Sequence, residues 1–479
     1  MNLIDFLKKN VENHGDKIAV IDNEREITFI ELYEKVEKFS NNIKILNQEK
    51  IISLISENSI LFIIAYLGII NSGKIVHLIP PEISENNLSD QIKTSDSKII
   101  ISNKLVKKNF ANYKSIKIQI LEFEEILSRC DNKIRKSETN NIAYLIYTSG
   151  TTSKPKGVPI SHSMIEFTTK NIIKVLKYSN SDVDLLPLPL HHSFGLGCVH
   201  TSLYVGSTLV LLKNATDLQY ILESLIKFNV TTLAVIPATL TKFLSFDRDV
   251  LKSNFSKIRL IITNSTSIPK KTVQNFKVIL KEGNLATYYG LTEASRSTFM
   301  IFNKNNEREE SVGRISPEVK IKIINEEQSD LKPGEICIKG NNVITKYWNN
   351  DNADKNLVDG WLQTGDIGYF DKQGYLFLKG RNDEIINIGG EKVTPIEIES
   401  IVKDITGVED VAAFGIDHEI FGQIIKLNVI KIKNSDLDKS QILSYCIKNL
   451  EKFKIPSKID FVEKIPKTDY GKVKRFMLK

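Results

Sequence analysis

Cysteine is scarce in this chain of 479 residues. The four thiols, Cys130, Cys198, Cys337 and Cys446, lie far apart and show no C-x-x-C spacing. That argues against a disulfide framework and against a thiolate zinc site, and a reduced, cytoplasmic setting is expected. Long apolar runs are missing as well. The longest, residues 60–70 (ILFIIAYLGII), is too short to span a bilayer and reads as a buried helix. The opening MNLIDFLKKN lacks the apolar core of a signal peptide. No integral membrane segment is therefore expected. Charge of one sign is not in great excess either. With 65 basic and 58 acidic side chains the net charge is +7, and no arginine cluster is interleaved with aromatics. Nucleic acid is not an expected partner. The one local departure is the last 28 residues, where nine basic and three acidic side chains give a net of +6. A basic segment of that kind suits contact with phosphates. Repeats and low-complexity linkers are absent.

What is present is ordinary globular composition, 41% hydrophobic and 26% charged, at a length that calls for two or more domains. Strand-like and helix-like runs alternate through most of the chain. Residues 142–147 (IAYLIY) read as a buried strand, and residues 161–178 as a helix with Ser161 as N-cap. Residues 207–212, 231–236 and 258–263 are β-branched strand candidates, and Pro269 reads as the first residue of another helix. This alternation predicts an α/β fold with mostly parallel sheets. After about residue 310 short strands (319–324, 335–339, 375–378) between Gly and Asp turns predict a small antiparallel region. A turn-rich KGRND at 379–383 follows. Beyond it a βαβ-like set is predicted: 384–388, a helix opened by Thr394-Pro395, 408–416, 424–431 and a helix near 437–450. The domain boundary falls near residues 381–383.

Five clusters carry chemistry. The first is the loop 148–157, TSGTTSKPKG, directly after a buried strand. Two glycines, five hydroxyls and two lysines make it a nest of donors for phosphate oxygens. It is not a Walker A loop, because six residues separate Gly150 from Gly157 and Val158 follows. The second is Tyr288-Tyr289-Gly290-Leu291-Thr292-Glu293, in which Glu293 offers the hard oxygen that Mg²⁺ prefers. Alone, a Thr-Glu pair more often caps a helix. The third is Gly360-Trp361-Leu362-Gln363-Thr364-Gly365-Asp366, where a carboxylate on a Gly-flanked turn can accept two ribose hydroxyls. Alone, a turn Asp is the commoner reading. The fourth is Gly380-Arg381-Asn382-Asp383-Glu384 with Gly389-Gly390 beyond, and the fifth is Gly471-Lys472 in the basic tail. Taken singly, these last are turn punctuation and a solvated lysine.

In this order and at these separations the five clusters resemble the adenylate-forming superfamily of acyl- and aryl-CoA synthetases, peptide-synthetase adenylation domains and luciferases. The resemblance runs from about Phe6 to Arg475. It implies a large N-terminal domain (1–381) of layered β/α subdomains with an antiparallel, barrel-like region. A small, mobile α+β C-terminal domain (382–479) follows, hinged near Asp383. It implies ATP, Mg²⁺ and coenzyme A as reactants and cofactor. Thr148, Ser149, Gly150, Thr151, Thr152 and Lys156 would bind the triphosphate. Thr292 would meet the α-phosphate, Glu293 (with Thr148) would hold Mg²⁺, and Tyr289 would lie at adenine. Asp366 and Arg381 would hold the ribose. Lys472 would be the catalytic lysine, and Gly389 and Gly390 would face the thiol after domain rotation. His192, in His191-His192-Ser193-Phe194-Gly195, occupies the position of the substrate gate. Ser153 stands where the family usually has Gly.

The resemblance implies a small-molecule carboxylic acid as substrate and CoA as the acceptor, with an acyl-carrier protein as the alternative. No counterpart of the aspartate that binds an α-ammonium is found, which points away from amino acids. The polar stretch 263–268 (TNSTSI) suits a short or polar acid, or a seat for adenine. No feature of the sequence encodes an oligomeric state.

Overall fold

The computed structural model describes residues 2–23, 25–46, 49–103, 119–128, 140–148, 155–213, 216–264, 268–302, 308–350, 353–388, 391–419, 421–468 and 471–478. Two sheets build the large domain. The first has six strands in the order Gln119–Glu122, Ile99–Ser102, Ile51–Ile55, Ile75–Ile79, Ile142–Thr148 and Lys156–Ser161. All of its pairs are parallel except the last. Its central strands IISLI and IVHLI are buried at every position, as expected where helices cover both faces. The helix Ile60–Asn71 is apolar all round and packs in the main core with Phe6, Phe29, Phe39 and Phe62. Each such side chain contributes about 1.5–3 kcal/mol on burial, so the run 60–70 is a core element.

The second sheet is longer. Its parallel part contains Ile18–Asp22, Thr208–Leu211, Val183–Leu186, Thr232–Ala234, Leu260–Thr263 and Asn284–Leu291. Pairing then turns antiparallel through Ala294–Phe302, Ser311–Ile315, Leu376–Arg381, Trp361–Phe370, Gly334–Lys339 and Lys320–Ile324. The antiparallel region continues the sheet through Ser311–Ile315, while keeping its own core around Ile321, Ile336, Ile338, Leu362 and Leu376. The expected turn at 379–383 is shorter than its composition suggests. The strand Leu376–Arg381 runs through Arg381, because its ladder with Trp361–Phe370 continues to the Asp366–Arg381 pair.

The small domain has a five-stranded sheet, Glu391–Val393, Ile386–Ile388, Gly422–Lys431, Val408–His418 and Lys458–Phe461. The helices Pro395–Lys403 and Lys439–Asn449 cover it, and it has a core of its own. Gly422–Lys431, Lys439–Asn449 and Lys458–Phe461 form a parallel βαβ unit, whereas Val408–His418 and Gly422–Lys431 are an antiparallel pair. The expected helices are present with small shifts. Ser161 caps His162–Leu176 by accepting from Met164 N. Pro269 is the N-cap of Lys270–Ile279, one residue before the position expected for it. None of the described helices is long and apolar enough to cross a membrane.

Candidate active site

The strands Ile142–Thr148 and Lys156–Ser161 pair from Ile142–Ser161 to Thr148–Lys156. The phosphate-nest loop leaves from the first and returns on the second. Ser149, Gly150, Thr151 and Thr152 lie outside the described residues, as do Ser153, Gly389 and Gly390. The returning end is well defined. Gly157 accepts Trp348 N through its carbonyl at 2.8 Å. A Cβ on Gly157 would stand 3.1 Å from both Trp348 Cβ and Tyr147 Cζ, so a side chain there would push one of them back by a few tenths of an ångström. That contact fixes Tyr347 between Lys156 and Glu293. Lys156 Nζ lies 5.6 Å from its ring centroid, and its hydroxyl donates to Glu293 Oε1 at 3.1 Å.

Glu293 and Thr292 occupy the two-residue turn between Asn284–Leu291 and Ala294–Phe302, closed by the Leu291–Ala294 pair. No helix starts here, so the Thr-Glu pair is not a cap. Burial raises the Glu293 carboxyl above its ordinary value, against the Tyr347 hydroxyl, Lys156 and Arg381, which favour the anion. A partly desolvated carboxylate with one hydroxyl donor and cations nearby is fitted to hold a hard divalent cation. Among the described residues no group of three or more His, Cys, Asp or Glu side chains forms a metal cage.

Asp366 lies within the strand Trp361–Phe370 rather than on a turn. Its Oδ2 accepts from Tyr289 Oη at 2.7 Å and its Oδ1 from Arg381 Nη1 at 3.1 Å. Burial raises its carboxyl, while Arg381, the Tyr289 hydroxyl and Lys472 act in the opposite sense. Burial also works against the Arg381 guanidinium, but Asp366, Asp383 and Glu384 outweigh it and hold the proton on. Arg381 Nε donates to Asp383 Oδ1 at 3.0 Å. Asp383 belongs to the short helical turn Asn382–Glu384, the connection into the small domain.

Lys472 comes from that small domain and lies within electrostatic reach of Asp366. It is exposed, on a tight turn. Thr468 N donates to Lys472 O and Gly471 N to Thr468 O, both at 2.8 Å. Arg475, three residues on, anchors the tail through Glu384 at 2.8 Å, Glu399 at 2.5 Å and the Ala413 carbonyl at 3.1 Å.

His192 is the N-cap of the helix Ser193–Val205, with its ring centroid 4.3 Å from that of His191. Burial and the neighbouring His191 push its pKa well below the ordinary value, so the ring is neutral. The first turns of this helix line a small cavity of about 20 Å³ that reaches Thr292. Thus Lys156, Thr292, Glu293, Tyr289, Asp366, Arg381 and Lys472 gather around one region, and His192 directly precedes Ser193, which lines the adjoining cavity. Sequence reasoning missed Tyr347 and Arg296. The signals were an aromatic pair (Tyr347-Trp348) and a single charge inside the otherwise uncharged strand ASRSTFMIF.

Residues 7–348 match the model of the AMP-binding enzyme family, and residues 397–472 match the AMP-binding enzyme C-terminal domain. The chain belongs to this family of adenylate-forming enzymes. It is 28% identical to a probable CoA ligase of Humulus lupulus, over 99% of this chain and 95% of the relative. It is 29% identical to an oxalate–CoA ligase of Arabidopsis thaliana, over 89% and 87%. Among solved structures, o-succinylbenzoate CoA synthetase from Bacillus subtilis, in complex with its acyl-adenylate, superposes with a TM-score of 0.89. That match is at 24% identity and covers 99% of this chain and 97% of that one. The same enzyme is also known with ATP and a magnesium ion.

Proposed function

We propose that this protein joins a carboxylic acid to coenzyme A at the expense of ATP, through an acyl-AMP, releasing pyrophosphate and AMP. The observation that carries the reading is the approach of Lys472, from the small domain, to the Asp366–Arg381–Tyr289 cluster of the large one. Adenylation brings two anions together, the acid's carboxylate and the α-phosphate. A cation delivered by a separate domain lowers that barrier where charge develops. In the first step a carboxylate oxygen bonds to the α-phosphorus, and the bond from that phosphorus to the bridging oxygen of pyrophosphate breaks. In the second the CoA sulfur, having lost its proton, attacks the acyl carbon and AMP leaves.

The residue roles follow. Asp366, whose anion Arg381 and Tyr289 favour against burial, accepts the ribose hydroxyls, and Tyr289 borders adenine. Thr148, Lys156 and residues 149–152 take the β- and γ-phosphates, and Thr292 meets the α-phosphate. Glu293, oriented by Tyr347, and Thr148 are the residues that would hold Mg²⁺, which when bound neutralises phosphate charge. Rotation about Asp383 withdraws Lys472 and brings Gly389 and Gly390 to the thiol path, a hinge motion of a known kind. His192 gates the acid. Cys198, Cys337 and Cys446 are free, which supports a reducing, cytoplasmic setting. The test is acid-dependent exchange of labelled pyrophosphate into ATP over short, dicarboxylic, aromatic and fatty acids, followed by mass detection of the CoA thioester. Exchange without any thioester, but with loading of a carrier protein, would replace CoA by that protein as acceptor. Absence of exchange with every acid would contradict the proposal.

A further inference from the structure

We infer that Arg296 binds a second anionic group of the acid, so that the substrate is a short dicarboxylate; this rests on the adenylating role proposed above. Arg296 lies on the strand Ala294–Phe302, two residues beyond the Thr292–Glu293 turn, and lines the cavity that reaches Thr292. It is only 5% exposed. Its Nη1 donates to Ser295 Oγ at 2.6 Å and its Nη2 to the Ser193 carbonyl at 3.3 Å, while Nε has no partner. The guanidinium lies over the Tyr288 ring at 4.9 Å. No carboxylate among the described residues is ion-paired with it, and none lines the cavity. Burying a cation this deeply without an anion is costly, and a guanidinium is suited to two-point recognition of a carboxylate.

Two further features show that the fold accommodates this arginine at a cost. Its φ is +57°, in the left-handed region that a non-glycine residue enters only under constraint. Across the cavity Gly197 lacks the Cβ that would stand 1.9 Å from Nη2, so the helix Ser193–Val205 leaves room for the guanidinium. The other titratable group on the cavity wall with a base to offer, His200, is kept neutral by burial and by Arg296 itself, its pKa falling to about 3. The cavity therefore carries one uncompensated positive charge. Thr292, where the reacting carboxylate would meet the α-phosphate, lies on the same cavity wall. An acid placed there directs its far end towards Arg296. The cavity measures about 20 Å³, room for little more than a water molecule, which confines the acid's far group to a short reach.

The test uses stable acyl sulfamoyl-adenosine analogues with ω-carboxylates, from malonyl to glutaryl, each paired with its uncharged ω-amide. Binding is measured by calorimetry to the full chain. The best ω-carboxylate is expected to bind at least about 30-fold more tightly than its amide. Arg296→Met should abolish that preference, and Arg296→Lys should restore part of it. Equal binding of every acid–amide pair to the wild type, which needs no variant, would overturn the inference and leave the adenylating role intact. A preference that persists in Arg296→Met would also overturn it. Failure of all analogues to bind would remove the adenylating role, and the inference with it.

Discussion

Replacing Lys472 by alanine separates the two half-reactions. The side chain is exposed, and its turn is held by main-chain bonds, Thr468 N to Lys472 O and Gly471 N to Thr468 O. Alanine keeps both bonds, so the change in stability should stay within about 0.5 kcal/mol. What is lost is one positive charge facing the Asp366 cluster and the place where the carboxylate meets the α-phosphate. Removing one preorganised stabiliser of developing charge costs about 2.7–4 kcal/mol, or roughly 10²–10³ in rate. Pyrophosphate exchange should fall by that factor. Thioester formation from supplied acyl-AMP and CoA should stay within a few-fold, because that step no longer brings the two anions together. Matching losses in both half-reactions, or exchange near the wild-type rate, would refute the role given to Lys472.

Three other outcomes follow from the same geometry. Tyr347→Phe removes the hydroxyl that donates to Glu293 at 3.1 Å. A hydrogen bond to a charged group is worth about 1.5–3 kcal/mol, so kcat/KM for ATP should drop by about tenfold or more, with unchanged values counting against Tyr347 as a positioning residue. The Glu293 carboxyl is raised above its ordinary value by burial, so it takes up a proton at a higher pH than an exposed glutamate. Calorimetry should therefore show Mg-ATP affinity declining on mild acidification. A folded pKa above the unfolded one means stability is lost as pH rises between the two. Glu293→Gln should thus stabilise the ligand-free protein at neutral pH and lose that advantage in acid, as thermal melts would show. Arg475→Met leaves Glu384 and Glu399, each about a tenth exposed, without their cation. The small domain should lose about 3–5 kcal/mol, and a melt unchanged from wild type would exclude the anchoring role.

The outline of the fold could be read from the chain because its patterns are local. The continuous apolar run 142–147 read as a buried strand, and Ser161 marked its helix start through a cap it does make. Pairings across long separations were out of reach. Asp366 read as a turn residue until its cross-strand partner Arg381 was known, and KGRND read as a turn because glycine and asparagine outweigh the ladder that carries the strand to Arg381. The Thr292–Glu293 pair looked like a helix cap, since nothing local reveals that Leu291 meets Ala294. Tyr347 is a functional neighbour only because Trp348 pairs with Gly157, nearly two hundred residues earlier in the chain. Arg296 is conspicuous only once its burial and its missing anion are both visible.

The central claim is that the acid's own carboxylate attacks the α-phosphorus. It can be followed with an acid carrying ¹⁸O in its carboxyl group, turned over with ATP and CoA. Acyl-AMP formation leaves one labelled oxygen on the phosphate of AMP, with none in pyrophosphate. Label appearing in inorganic phosphate with ADP as the nucleotide product, or AMP free of label, would contradict it.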